Sequence, residues 1–163
     1  MKNEKTLIIS AFPGCGKSYC TNKESNKFNG VCDLDSSSYS HIKTGELNPD
    51  FPNNYIKAIK EKYESGDYEI IFVSSHEMVR NALQKAELPY VLVYPNLFQK
   101  KDYIQRYKKR GNDKKFISLI SGNWEEWINS CRLEEYPEKF ELPYLSCKYL
   151  NAEMIDLIKI MIK

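Results

Sequence analysis

The segment from Ala11 to Ser18, AFPGCGKS, has residue types and spacing suited to binding phosphate groups. It fits the pattern GxxxxGK[ST], except that alanine replaces the first glycine. Glycines let backbone N–H groups turn inward around a β-phosphate, Lys17 supplies a cation, and the Ser18 hydroxyl is a ligand for Mg²⁺. The pattern therefore predicts that a nucleoside triphosphate is bound by Pro13, Gly14, Cys15, Gly16, Lys17, Ser18 and Tyr19.

Two aspartates, Asp33 and Asp35, end the next apolar stretch of the chain. Residues two apart on a strand point to the same face, and open α/β sheets bind ligands at the carboxyl ends of their strands. We expect Asp33 to hold Mg²⁺ or contact substrate. We expect Asp35 to contact the acceptor, or to accept the proton of an attacking hydroxyl. The alternative is simple turn chemistry, because Asp-Ser-Ser also favours turns.

A basic segment at residues 99–115 contains eight Lys or Arg against two Asp. Arg106 and Arg110 are four residues apart, on one helical face, and are predicted to stabilise charge on the transferred phosphoryl group. Gly111 follows them as a flexible break, so we expect a closing lid. The alternatives are a solvated charged helix or a nucleic-acid contact. In the second, Tyr103 and Tyr107 would stack on bases, although a buried tyrosine stripe is favoured.

Arg80, in the helix expected after the third strand, is predicted to clamp a phosphate of the acceptor. An ion pair with Glu77 or another neighbour is its alternative role. Trp124 and Trp127 are expected to pack in the core, with an aromatic wall for a base as the alternative.

Strands and helices alternate along the chain, and the strands are apolar throughout. This pattern predicts an α/β fold in which helices cover both faces of a parallel sheet. We expect one domain over 1–163, with an acceptor-binding insert at 36–66 and the lid at 99–115. The predicted strands cover 6–11, 31–34, 68–74, 90–94 and 142–146, and the main helices 17–26, 53–64, 77–86, 99–110, 114–121, 124–131 and 152–162.

The composition excludes several other classes. The net charge is only +2, which argues against a basic nucleic-acid coat. The five cysteines form no CxxC pair, which disfavours a zinc site and suits a reducing compartment. No apolar run is long enough for a membrane span. We expect a cytoplasmic monomer or homodimer with a small-molecule nucleotide substrate and no membrane association; a nucleic-acid partner is not favoured.

Taken together, AFPGCGKS, DLDSS, a strand ending in SSH, YPN and RYKKRGN resemble small P-loop kinases of the nucleoside-monophosphate-kinase superfamily, especially adenylate-kinase-like proteins of phages and bacteria. The resemblance implies a three-layer P-loop NTPase fold with a parallel five-stranded sheet in the order 2-3-1-4-5 and a helical lid. It also implies ATP and Mg²⁺. The adenine site of this fold would fall near residues 145–150. The DLD element is similar to the DxD of shikimate-kinase-type enzymes, whose acceptor is a hydroxyl.

Three functions follow as hypotheses. The leading one is a nucleoside monophosphate kinase. The second is a kinase of a hydroxyl on a polynucleotide 5′ end, nucleoside or small metabolite, with Asp35 as base. The third is a nucleotide-binding interaction module without turnover.

Overall fold

The computed structural model describes residues 5–142 and 149–163. Their regular elements alternate along the chain as the residue pattern predicts. In addition to the strands and α-helices, two short 3₁₀ turns lie at Ser25–Lys27 and Leu97–Gln99. The strands are β1 (Leu7–Ala11), β2 (Val31–Asp33), β3 (Ile70–Ser74), β4 (Val91–Pro95) and β5 (Glu138–Leu142); the helices are α1 (Lys17–Lys23), α2 (Ser37–Ser40), α3 (Asn53–Ser65), α4 (Glu77–Lys85), α5 (Lys100–Lys109), α6 (Lys114–Leu133) and α7 (Ala152–Met161).

The five strands form one parallel sheet in the order β2-β3-β1-β4-β5, with helices on both sides. The predicted fold class and strand order are therefore confirmed. Strands β1, β3 and β4 lie in the centre, and nearly all of their side chains are buried. A strand covered on both faces needs apolar residues at every position, which explains the continuous runs LIISA, IIFVS and VLVYP.

The fifth strand lies earlier in the chain than the sequence pattern predicts. It covers Glu138–Leu142 and pairs with β4, so Leu142 is the one residue it shares with the predicted strand. The remaining positions of that prediction, 143–146, lie outside the described residues. Strand β5 is at the edge of the sheet and reads EKFEL, and such a charged strand gives no apolar signal.

Helix α6 is one continuous element of 20 residues, where the sequence predicted two helices. Gly122 lies inside it, in open space and without a break, because packing of an apolar face outweighs the modest helix penalty of glycine. The buried residues Ile120, Trp124 and Ile128 form that face.

The helix that follows the phosphate loop is shorter than predicted. It ends at Lys23 and is followed by the turn at Ser25–Lys27. The predicted glycine at the end of α3 is confirmed: Gly66 has a left-handed backbone with φ of 71°.

Candidate nucleotide and acceptor site

The phosphate-binding loop joins β1 to α1 at the centre of the sheet. Its two glycines have positive φ, 86° at Gly14 and 115° at Gly16. A Cβ atom at Gly16 would lie 2.8 Å from the backbone nitrogen of Leu150, and one at Gly14 would lie 2.9 Å from a ring carbon of Tyr107. Both positions therefore require glycine for backbone conformation and for space.

The loop opens into a cleft of about 840 Å³ at the carboxyl edge of the sheet. Nearly all of the residues predicted from the sequence to bind nucleotide, metal or acceptor meet along it. They are Pro13, Gly14, Gly16, Lys17, Ser18, Tyr19, Asp33, Asp35, Arg106 and Arg110. Cys15 and Arg80 are the two predicted site residues that do not line this cleft.

Lys17 and Asp33 interact electrostatically across the cleft. Burial lowers the pKa of Lys17, and the negative charge of Asp33 opposes that shift. Burial raises the pKa of Asp33, while the positive charge of Lys17 lowers it, and the nearby Asp35 raises it further. Each group thus offsets part of the desolvation penalty of the other.

Asp35 lies two residues beyond the end of β2, exposed to the cleft. One carboxylate oxygen accepts the backbone N–H of Ser37 at 2.9 Å, which orients the side chain. The buried Tyr55 holds the strand end behind it. Its hydroxyl donates to the carbonyl oxygen of Leu34 at 2.6 Å and accepts the N–H of Ser74 at 3.1 Å.

Helix α5 forms a wall of the phosphate loop. The hydroxyl of Tyr107 donates to the carbonyl oxygen of Pro13 at 2.6 Å, and that of Tyr103 lies 3.5 Å from the Cys15 sulfur. Both rings are fully buried, which confirms the buried stripe and leaves neither ring free to stack on bases. Closure of the 99–115 segment about Gly111 stays a prediction.

Arg106 connects this helix to the loop. Its Nη1 donates to the carbonyl oxygen of Gly14 at 3.0 Å. The guanidinium lies between two tyrosine rings, 4.3 Å from the centre of Tyr103 and 4.4 Å from that of Tyr149. Tyr149 in turn stacks on Tyr19 at 5.8 Å. Of the predicted adenine segment 145–150, Tyr149 lines the cleft, Leu150 borders the loop, and residues 145–148 lie outside the described residues.

Tyr149 and Asn112 lie in the predicted adenine and lid segments, but the sequence did not mark either one as an individual site residue. Asn112 lines the cleft, and within 5–142 and 149–163 its buried Oδ1 has no hydrogen-bond partner. No motif marks either residue, since each reaches the cleft only through the packing of distant elements.

Cys15 is fully buried inside the loop. Burial raises the pKa of its thiol to about 12, so the group stays protonated at neutral pH. Its backbone carbonyl accepts the N–H of Leu150 at 2.6 Å. Cys15 therefore contributes packing and backbone to the loop and does not present its side chain to the cleft.

Arg80 is held by the protein and joins α4 to α6. It is 2% exposed, and its guanidinium donates to the carbonyl oxygens of Ser75 and Ser130, to the Ser130 hydroxyl and to Glu134. The ion pair with Glu134 measures 2.8 Å, whereas the sequence suggested Glu77 as a partner. Contact between Arg80 and a phosphate of the acceptor stays a prediction.

A second cavity, of about 420 Å³, adjoins the cleft. Pro13, Ser36, His76 and Trp127 are among the residues that line both spaces. The rings of His76 and Trp127 meet edge to face at 5.5 Å. We call this second cavity, a candidate acceptor site, the acceptor cavity. A compound bound in it would lie directly beside the phosphate loop, because Phe12 and Pro13 are part of its wall.

The cleft residues fit a magnesium–nucleotide complex. Mg²⁺ is usually bound by one or two carboxylates or hydroxyls together with substrate phosphates, and seldom by a cage of protein ligands. Ser18 and Asp33 supply that kind of donor set here. In keeping with it, the described ranges contain no cluster of three or more His, Cys, Asp or Glu side chains. Within the same ranges, no helix has the length and apolar character needed to cross a membrane.

Comparison with known proteins supports the fold. The chain is similar in structure to a gluconokinase from Sinorhizobium meliloti 1021, with a TM-score of 0.54 over 96% of this chain and 90% of that one. The two share 17% sequence identity, so the likeness concerns the fold. No model of a protein family matches the sequence, and no curated protein matches it.

Proposed function

We propose that this protein is an ATP- and Mg²⁺-dependent kinase that phosphorylates a hydroxyl group of a small molecule. The observation that carries the proposal is the exposed carboxylate of Asp35 in the cleft. Its neighbour in sequence, Ser36, lines both the cleft and the acceptor cavity, which within 5–142 and 149–163 has no cation free for an anionic acceptor. Arg80 is the sole Lys or Arg among the described residues that line that cavity, and Glu134 already pairs with it.

The residues of the cleft would have different roles in phosphoryl transfer. Backbone N–H groups of residues 13–18 and the Lys17 ammonium hold the β- and γ-phosphates. Mg²⁺, held by Ser18 and Asp33, would neutralise phosphate charge when bound. Arg110 adds positive charge where charge develops on the transferred group. Arg106, fixed between its tyrosines, lines the nucleotide side of the cleft.

Asp35 would act on the acceptor. It takes the proton from the acceptor hydroxyl as the oxygen forms its bond to the γ-phosphorus, and the bond from that phosphorus to the bridging oxygen of ADP breaks. The hydrogen bond from Ser37 orients the carboxylate for this step. The products are ADP and the phosphate ester of the acceptor.

The nucleoside monophosphate kinase hypothesis ranks second. A monophosphate acceptor brings at least one negative charge that needs a positive partner, and the acceptor cavity offers none that is free. What supports the monophosphate hypothesis is Arg110, an exposed cation at the cleft that acts electrostatically on both Lys17 and Asp33.

A coupled ADP-release assay with ATP·Mg²⁺ tests the proposal against a panel of hydroxyl compounds and nucleoside monophosphates. We expect a hydroxyl acceptor to be phosphorylated, and Asp35→Asn to lose nearly all turnover while it keeps ATP binding by calorimetry. Turnover of monophosphates alone, or normal turnover by Asp35→Asn, would overturn the proposal. ATP binding with no transfer to any acceptor would favour the interaction module.

A further inference from the structure

The acceptor cavity carries negative charge. Glu77 at the start of α4 and Glu126 on α6 both line it. The one guanidinium in its wall, that of Arg80, is neutralised by Glu134. The pKa of His76 is lowered by burial and by the positive charges of Lys17 and Arg80, so this ring is neutral at pH 7.

The neighbouring nucleotide cleft has the opposite sign, since its four cations outnumber its two carboxylates, Asp33 and Asp35. The cations are Lys17, Lys23, Arg106 and Arg110. Two adjoining spaces therefore differ in charge on either side of the phosphate loop. A triphosphate is attracted to the first space. An acceptor that carried a carboxylate or phosphate would meet the two glutamates in the second, where like charges repel.

The remaining walls of the acceptor cavity are aromatic, apolar or hydroxyl-bearing. Trp127 and Phe51 present ring surface, Met78 adds an apolar side chain, and Ser36 and Ser40 add hydroxyls. An ammonium group is attracted both to carboxylates and to the faces of aromatic rings. Serine hydroxyls provide hydrogen bonds for the acceptor's own hydroxyl groups.

We propose that the acceptor is an amine-bearing alcohol, such as an amino sugar or a related aminopolyol, whose ammonium group is held by Glu77 and Glu126. The inference rests on the proposed hydroxyl kinase and adds the charge of its substrate. It separates this protein from a kinase of gluconate, because gluconate carries a carboxylate that these glutamates would repel.

The first test compares acceptors that differ mainly in charge, with ADP release as the readout. Glucosamine, kanamycin and choline carry amines or a quaternary ammonium; glucose, ribose and adenosine are neutral; gluconate, shikimate and AMP are anions. We expect the highest kcat/KM in the cationic group. An anionic hydroxyl compound as the best acceptor would leave the proposed hydroxyl kinase standing and overturn this inference.

The second test uses Glu77→Gln and Glu126→Gln, with Glu125→Gln as the matched control. Glu125 is adjacent in sequence, exposed, and absent from the cavity wall. With an amine acceptor, each cavity variant should lose about two- to fivefold in kcat/KM, chiefly through KM, the size expected for a solvent-accessible charge contact. ATP affinity and melting temperature should stay near the wild-type values. Equal loss in the Glu125→Gln control would contradict the assignment.

A third measurement reads the cavity charge without turnover. Trp127 lines the cavity, whereas Trp124 is buried, so collisional quenchers reach mainly Trp127; the Trp127→Phe variant identifies its emission. Because Trp127 also lines the nucleotide cleft, the readout is the change on substitution. Glu77→Gln with Glu126→Gln should raise quenching by iodide and leave quenching by neutral acrylamide unchanged. Iodide quenching that is unchanged by both substitutions would overturn the inference. This test needs no known acceptor, so its outcome is separate from that of the hydroxyl kinase proposal.

Discussion

The phenolic hydroxyl of Tyr107 donates to the carbonyl oxygen of Pro13 at 2.6 Å, so a residue of α5 restrains the first turn of the phosphate loop. Arg106, one residue earlier in the chain, holds the next carbonyl, that of Gly14. The two contacts orient successive peptide groups of the loop. Because the N–H groups proposed to bind phosphate belong to the same peptides, helix α5 would hold the proposed nucleotide site in place before a nucleotide binds.

This relationship predicts the effect of Tyr107→Phe. Loss of the hydrogen bond should lower the free energy of unfolding by about 1 kcal/mol and weaken ATP binding, because the loop is held less firmly. Urea unfolding and calorimetry measure the two effects. Tyr136→Phe is the matched control, since Tyr136 is exposed and far from the loop in sequence. Unchanged ATP affinity in Tyr107→Phe would show that the contact stabilises the fold alone.

Lys17→Ala should abolish phosphoryl transfer. The ammonium lines the cleft in which the proposed triphosphate would bind, and removal of such a charge contact costs about 10³-fold in kcat. Lys85→Ala on the exposed end of α4 serves as control. Initial rates at saturating ATP decide the matter, and near-normal activity in Lys17→Ala would overturn the assignment of the phosphate loop.

Arg80→Ala should lower the free energy of unfolding, and this effect should be larger than any direct effect on catalysis. The substitution leaves Glu134 without its partner in a mostly buried pair and should cost about 3 kcal/mol of unfolding free energy. Chemical denaturation of Arg80→Ala and Glu134→Gln, singly and together, tests this. If Arg80→Ala kept wild-type stability and raised the KM of the acceptor, the phosphate clamp inferred from sequence would be correct after all.

The raised pKa of Asp33 predicts a pH-dependent stability difference. Its folded-state pKa lies above the unfolded value, so the folded state binds the proton more tightly and the contribution of Asp33 falls as pH rises through that interval. Asp33→Asn should therefore be more stable than wild type at pH 7. The gain should shrink as pH falls through the raised folded-state pKa and should be nearly lost below pH of about 4. Thermal unfolding across pH 3–8 tests this. A gain that is constant over this range would contradict the burial argument.

Mg²⁺ should act on the same group. A cation beside Asp33 favours its ionised form, so Mg²⁺ with ATP should stabilise wild type more than Asp33→Asn. Thermal shifts with and without the nucleotide complex provide the comparison. Equal increases in melting temperature in the two proteins would show that Asp33 does not help to bind Mg²⁺.

The sequence is most informative where the chemistry is local. The strand, loop and helix from Leu7 to Lys23 follow from an apolar run, two glycines and a lysine, all within one segment. The burial of Tyr103 and Tyr107 on one face of α5 is likewise predicted by their spacing of four residues. The position of strand β5 could not be predicted in this way. It is an edge strand with charged residues, and only its pairing with β4 shows that it is a strand.

The acceptor side depends on distant partners. Arg80 reaches Ser130 and Glu134, fifty or more positions further on, and no periodicity in α4 reports that pairing. Tyr149 meets Arg106 and Tyr19 across comparable distances in the chain. The arrangement of these residues, and with it the charge of the acceptor cavity, emerges only from the fold.

The phosphate loop is also tied to a remote part of the chain. Cys15 and Cys20 both contact the backbone of Leu150, and Glu24 accepts the N–H of Ala152 at 2.5 Å. These contacts join residues about 130 positions apart, and loop closure over such a separation is slow. During synthesis, the nascent chain could pair its first strand only after β3 and β4 had left the ribosome. It would gain the contacts that fix the loop later still, after residues 149–152 had left the ribosome.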